Sequence, residues 1–251
     1  MKTTISVIMA AYNAEKTIRA AIESVQKQTY PCWELLIVDD GSRDNTLAIA
    51  RQYAEMDHRI RVICNGTNSG VSQSRKNALL AAVGEWIAVL DSDDMWAPEK
   101  LEKQLEVAKE KGAALIFTGS AFVRADGSVI PWTLHVPKRV GLRQLLKQNV
   151  ISNSSALVKR NLYERHYVMG DHLHEDYAMW LGMLAEGVEA YGIDEPLLIY
   201  RVASTTKSGN KLKSARMQLE TYRYIGLSVP ERLVYMCLYG INGYLKHRHL
   251  K

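Results

Sequence analysis

A mostly parallel α/β sheet flanked by helices, with further helices at the C-terminus, is the fold class that three observations predict. Strand-length apolar runs alternate with segments of helical period over roughly the first 100 residues. Two of those runs end abruptly in acidic turns, LLIVDDGSRD and WIAVLDSDD. After Pro230 and its surroundings the chain is long-period, aromatic and basic, a pattern of amphipathic helices rather than strands.

The elements follow in order. Residues 5–11 and 35–38 are compact apolar runs that predict buried strands. Between them, 15–28 carries Ile18, Ala21, Ile22 and Val25 on one helical face, with Pro31 in the return loop. A helix over 44–54, a strand over 60–64, a helix over 71–82 and a strand over 85–90 continue the alternation. Such alternation favours parallel strands with helical crossovers, and in such sheets ligands bind at the carboxyl ends of the strands. After Pro98 come a charged helix over 99–111, a strand over 114–118 and a hairpin turning at Asp126-Gly127. A helix over 177–185 and a strand over 197–201 belong to a second half that begins near Leu142. The Ser/Thr/Gly/Lys composition of 203–211 predicts a mobile loop, and Pro230 is expected to divide 215–251 into two helices.

Composition narrows the function classes. With 251 residues, 47% hydrophobic and 24% charged, the chain can bury a sizeable core and is not disordered. Cys32, Cys64 and Cys237 show no zinc-ligand spacing and fit a reducing compartment. The N-terminal apolar stretch is too short for a secretory signal, and no run of about eighteen apolar residues predicts a membrane span. A cytoplasmic protein is expected. Residues 201–251 carry ten Lys/Arg against two Glu, a local charge of +8 that leaves the first 200 residues at −3.

The acidic turns carry the chemistry. Asp39 and Asp40, then Asp91, Asp93 and Asp94, would gather like charges at one edge of the sheet if their strands were neighbours. That arrangement is costly without a cation or hydrogen-bond donors. Carboxylates separated by one residue suit a hard divalent ion that keeps positions open for water and phosphate oxygens, so a nucleotide diphosphate is a natural partner. Aspartates at strand ends also serve as ordinary turn and cap residues, the simpler reading of either turn taken alone.

SVIMAAYN, VDDGSRDNT, NSGVSQSRKNAL, LDSDD and HEDYAMWL, in this order and spacing over roughly the first 200 residues, resemble the family 2 nucleotide-sugar glycosyltransferases of GT-A fold. The resemblance implies that Ala10, Tyr12, Asp39 and Asp40 contact the nucleoside and that Arg75 lies near the donor phosphates or base. It implies that Asp91 and Asp93 bind Mn²⁺ or Mg²⁺, Asp93 more directly, with Asp94 as a neighbour that caps the following turn. Asp176, in the Glu175-Asp176 pair, becomes the base that deprotonates an acceptor hydroxyl in an inverting, single in-line displacement. The simpler roles stand beside these: a rim aromatic for Tyr12, a solvated helix cation for Arg75, and a first-turn helix carboxylate for Asp176. His172 and His174 are left outside the site.

By the same resemblance, residues 1–105 form the nucleotide-sugar-binding half, 106–205 the acceptor-binding and catalytic half of one domain, and 206–251 basic amphipathic helices. The expected donor is a UDP-hexose or UDP-N-acetylhexosamine. The expected acceptor is a polyprenyl-diphosphate-linked oligosaccharide of bacterial surface-polysaccharide synthesis, met at the cytoplasmic face of the inner membrane. The tyrosines, apolar residues and cations of the tail suit a membrane interface, and equally a helix pair that closes over the catalytic half or forms a dimer contact. Three rivals compete. A nucleic-acid-binding protein leaves the acidic strand ends unexplained and lacks a recognisable module, so no nucleic acid is expected. A nucleotidyltransferase would need a glycine-rich phosphate loop where this chain has MAAYNAEKT. A non-catalytic nucleotide- or sugar-binding relative would not need both Asp93 and Asp176.

Overall fold

The computed structural model describes residues 4–170, 172–202 and 211–247. One sheet runs through the molecule in the order β3-β2-β1-β4-β9-β6-β10-β5. Its first four members are β1 (Ile5–Ala11), β2 (Trp33–Asp39), β3 (Ile60–Cys64) and β4 (Trp86–Val89). They are parallel, with β1 in the middle pairing both β2 and β4. The expectation that the two acidic turns close neighbouring strands is therefore corrected: β1 lies between them. The C-terminal end of β1 thus opens between the two turns.

The second half is mixed rather than parallel. β9 (Leu157–Lys159) pairs antiparallel with both β4 and β6 (Leu115–Arg124), and β6 pairs parallel with β10 (Ala190–Val202). The short β5 (Met95–Trp96) and β8 (Arg139–Val140) lie antiparallel to β10. The hairpin at Asp126-Gly127 joins β6 to β7 (Val129–Leu134).

Alternate side chains of the central strands enter two different cores, as the pleat requires. Val7, Met9, Leu35 and Ile37 pack with α1 (Ile18–Gln26), α2 (Thr46–Met56) and α4 (Lys100–Lys111). Ile8, Leu36, Val38 and Val89 pack with α3 (Val71–Ala81), α5 (Leu142–Lys147), α6 (Arg160–Arg165) and α7 (Glu175–Ala185). The chain ends in α8 (Lys211–Tyr224) and α9 (Val229–His247). Pro230 is not what separates them. The break falls earlier, where Gly226 takes φ +81° and Leu227 N–H returns to the Tyr222 carbonyl, a glycine C-terminal cap. Pro230 sits in the first turn of α9, where its missing N–H is harmless. Most of the expected mobile loop, 203–210, lies outside the described residues.

Candidate active site

At the carboxyl edge of the parallel strands, the loops after β1 and β4, together with α3, the start of α7 and Tyr200 of β10, line a cavity of about 500 Å³, and the turn after β2 braces the first of these loops. The first follows β1. Tyr12 projects there 46% exposed, and Asn13 takes φ +50°, a left-handed conformation that asparagine tolerates better than most residues. Reciprocal bonds clasp this loop to the turn after β2. Asn13 N–H donates to Ser42 Oγ at 3.0 Å, and Arg43 N–H donates to Asn13 Oδ1 at 2.9 Å. Glu15 N–H reaches Asp44 Oδ2, and Asn45 N–H reaches Glu15 Oε2.

The β2 turn is held by donors from the 65–70 loop. Asp40 Oδ1 accepts from Asn65 Nδ2 and Ser69 N–H, both at 2.8 Å, and Oδ2 accepts from Gly70 N–H at 2.9 Å. Burial would raise the Asp40 pKa, but these bonds outweigh it and hold the carboxyl below its ordinary value. Gly41 makes the turn feasible, because its φ is +73° and a Cβ there would meet Asn68 N at 3.1 Å. Asp39 Oδ2 accepts Ser42 N–H at 3.1 Å, while its Oδ1 is buried without a hydrogen-bond partner.

The β4 turn is the opposite case. Asp91 N–H donates to Ser154 Oγ, Asp94 N–H closes back on the Asp91 carbonyl, and Arg201 fastens the far side. Arg201 N–H donates to Asp94 Oδ1 and its Nε donates to the Asp93 carbonyl, both at 3.0 Å. The carboxylates nonetheless crowd one another. Burial first, and the Asp91 charge second, raise the pKa of Asp93; burial and the charges of Asp91 and Asp93 push Asp94 well above its ordinary value.

Arg75 is the compensating cation. It is buried in α3, pairs with Asp91 Oδ1 at 2.5 Å, and reaches Glu175 Oε1 at 3.4 Å. Burial disfavours its charge, but Asp91 and Glu175 outweigh that and keep the guanidinium firmly protonated. The solvated-cation reading of Arg75 is thereby removed. Its buried Nε has no partner.

Of the sequence-predicted residues, Ala10, Tyr12, Arg75, Asp91 and Asp93 line the cavity together. Asp39, Asp40 and Asp176 do not line it. Asp40 has both oxygens engaged inside the protein, and Asp176 sits in the first turn of α7 accepting the Tyr177 N–H at 2.8 Å. Burial raises the Asp176 pKa against the opposing pull of Arg75 and His174. Asn13, Glu175 and Tyr200 also line the cavity and were not singled out as site residues, nor was Arg201 behind the turn. Asparagine directly after an apolar strand is the one sequence signal that could have marked Asn13.

A divalent ion fits this donor set. Among the described residues no group of three His, Cys, Asp or Glu forms a ready cage. Asp93, under-compensated beside the Arg75-paired Asp91, instead offers its carboxylate to the open cavity, an arrangement that suits Mg²⁺ or Mn²⁺ completed by phosphate and water.

A mixed sheet with this cavity at the carboxyl edge of its parallel strands is the arrangement that the resemblance to proteins of GT-A fold implies. Residues 6–166 match the family described as Glycosyl transferase family 2, and the chain belongs to it: it is a glycosyltransferase. The chain is 37% identical over 94% of its length, and 91% of the relative's, to TuaG of Bacillus subtilis (strain 168), named as a teichuronic acid biosynthesis glycosyltransferase. It is 32% identical over 97% of its length, and 95% of the relative's, to the UDP-Glc:α-D-GlcNAc-diphosphoundecaprenol β-1,3-glucosyltransferase WfaP of Escherichia coli. The fold matches S. aureus TarS 1-349 in complex with UDP-GlcNAc, with TM-score 0.75 and 22% identity over 94% of this chain and 71% of that one.

Proposed function

We propose that the protein is a metal-dependent, inverting glycosyltransferase that moves a hexose or N-acetylhexosamine from a UDP-sugar onto a hydroxyl of a polyprenyl-diphosphate-linked glycan. It would work at the cytoplasmic face of the inner membrane, in bacterial surface-polysaccharide synthesis. The observation that carries this reading is the buried Arg75, which pairs with Asp91 of the β4 turn and with Glu175 at the start of α7 beside one cavity. The names of the relatives, with their UDP-glucose donor and diphosphoundecaprenol acceptor, support the choice of substrates.

In this reading Tyr12 offers its exposed ring to the base, and the unpartnered Oδ1 of Asp39 accepts from a base N–H or ribose hydroxyl. Asp40 supports that contact from behind by fixing the 65–70 loop. Asp93, with Asp91, would hold Mn²⁺ or Mg²⁺. When bound, such an ion supplies positive charge to the departing diphosphate. Arg75 keeps Asp91 aligned and adds a second positive charge beside the leaving group. Asp176 takes the proton from the acceptor hydroxyl. An in-line displacement needs its base on the face opposite the leaving group, so a base outside the donor cavity suits that geometry. Its raised pKa makes it a stronger base than an ordinary aspartate while leaving it a carboxyl group that ionises with rising pH.

Calorimetric titration with UDP, GDP and dTDP, each with Mn²⁺ and with EDTA, tests the donor half. Metal-dependent binding of UDP alone is expected; no binding of any nucleotide under either condition would overturn the reading. Asp176→Asn is expected to lose transfer while retaining UDP binding, and wild-type turnover in that variant would remove Asp176 as the base.

A further inference from the structure

The last helix carries apolar residues on both sides. On the inner side of α9, Tyr235, Met236 and Tyr239 pack against the core. The Tyr239 ring lies 5.9 Å from that of Tyr177, one residue beyond Asp176, and Asn242 Nδ2 donates to the Lys147 carbonyl. Residues 229, 233, 237 and 241 recur every fourth position and so share the other face. Val229, Leu233 and Ile241 are 59%, 61% and 59% exposed, Val234 beside them is 57% exposed, and Cys237 is exposed as well. Scattered exposed apolar residues are ordinary on a protein surface, but a continuous stripe along one helix is not.

The charge of this region selects what covers the stripe. Apart from Arg201, which serves the Asp91–Asp94 turn, residues 202–251 carry nine Lys/Arg against two Glu, and Arg216 and Arg223, the latter 3.9 Å from Glu220, are exposed on α8, which packs on α9 through Tyr222 and Tyr235. A two-fold contact between copies through α9 would bring two such segments together against their mutual repulsion. An anionic bilayer is complementary to both features, because it takes up the apolar stripe and attracts the cations.

We propose that the outer face of α9, formed by Val229, Leu233, Cys237 and Ile241, docks on an anionic lipid surface. This deepens the reading of a lipid-linked acceptor and rests on it for the purpose of docking. α9 touches the membrane with one face and the helix that begins at Glu175-Asp176 with the other, so docking holds the acceptor side of the site at the lipid surface.

An environment-sensitive dye on Cys237, in a Cys32→Ser, Cys64→Ser background, reads the docking directly. Vesicles of phosphatidylcholine with phosphatidylglycerol are expected to brighten and blue-shift the dye, and salt to reverse the change; phosphatidylcholine alone should have little effect. Leu233→Asp with Ile241→Asp, both at exposed positions, should weaken partitioning at least about ten-fold with an unchanged melting temperature. A dye that ignores the anionic vesicles, or responds equally to neutral ones, would overturn the proposal. So would a dye response that grows with protein concentration in the absence of lipid, since a second copy would then cover the face. UDP titration of the same labelled protein separates the two readings: UDP binding without vesicle binding sinks this inference alone, and vesicle binding without UDP binding sinks the donor assignment alone.

Discussion

The turns after β2 and β4 look alike in sequence, VDDGS and LDSDD, yet they are in opposite physical states. In the first, Asp40 is surrounded by N–H donors from the 65–70 loop and titrates below its ordinary value. In the second, Asp93 and Asp94 are pushed above theirs by burial and by neighbouring negative charge, with Arg75 compensating mainly Asp91. A carboxylate satisfied from within, as Asp40 is, is a structural group, whereas Asp39 beside it keeps Oδ1 without a partner. A carboxylate left under-compensated in a cavity is prepared for a cation that arrives with its ligand.

The two turns therefore respond oppositely to mutation. Removing Asp93 should have the largest effect on function: Asp93→Ala is expected to abolish Mn²⁺-dependent UDP binding in calorimetry and lower turnover by about 10²–10³-fold. Removing Asp40 should act on the fold instead. Asp40→Ala strands the Ser69 and Gly70 N–H groups and the Asn65 amide, at a cost of about 2–4 kcal/mol in denaturant unfolding. The smallest effect belongs to the clasp between the two loops. Asn13→Ala puts a Cβ-bearing residue without the Oδ1 acceptor at φ +50° and should cost about 1–2 kcal/mol, most of which Asn13→Gly avoids.

How much of this is written in the sequence depends on the kind of element. The central strands are continuous apolar runs, so β1 to β4 and the helices between them lie within a few residues of their predicted positions. β9 was missed because three residues, Leu157–Lys159, give no periodicity; its place in the sheet comes from the strands on either side. Only the second half of β10 was seen, since Gly192, Asp194, Glu195 and Pro196 interrupt its pattern where the register shifts between Ile193 and Leu198. The cavity-lining aspartates were recognisable because acidic residues at strand ends break an apolar pattern. Burial of Arg75 was not, because a cation on a helix has the same local sequence whether it meets water or two carboxylates from distant segments. Arg201 escaped notice for a similar reason: its contacts to the Asp91–Asp94 turn exist only once β10 lies beside β5.

The pH dependences carry the same contrast. A carboxyl with a lowered folded-state pKa, Asp40, contributes stability above the ordinary value of 3.8 that is lost as pH falls below it. A carboxyl with a raised one, Asp93, contributes stability below 3.8 that is lost as pH rises through its folded value. At neutral pH the first turn is therefore stabilised by its charge and the second is strained by it.

The most direct measurement is thermal unfolding at pH 7 of the wild type, Asp40→Asn and Asp93→Asn, each in EDTA and then with Mn²⁺ and UDP. In EDTA, Asp93→Asn should melt above the wild type and Asp40→Asn below it, by about 2–4 °C for each kcal/mol. Mn²⁺ with UDP should then stabilise the wild type and Asp40→Asn but leave Asp93→Asn unmoved. An Asp93→Asn protein that melts low in EDTA and gains the full wild-type increment from Mn²⁺ and UDP would contradict the assignment of the β4 turn as the cation and diphosphate site.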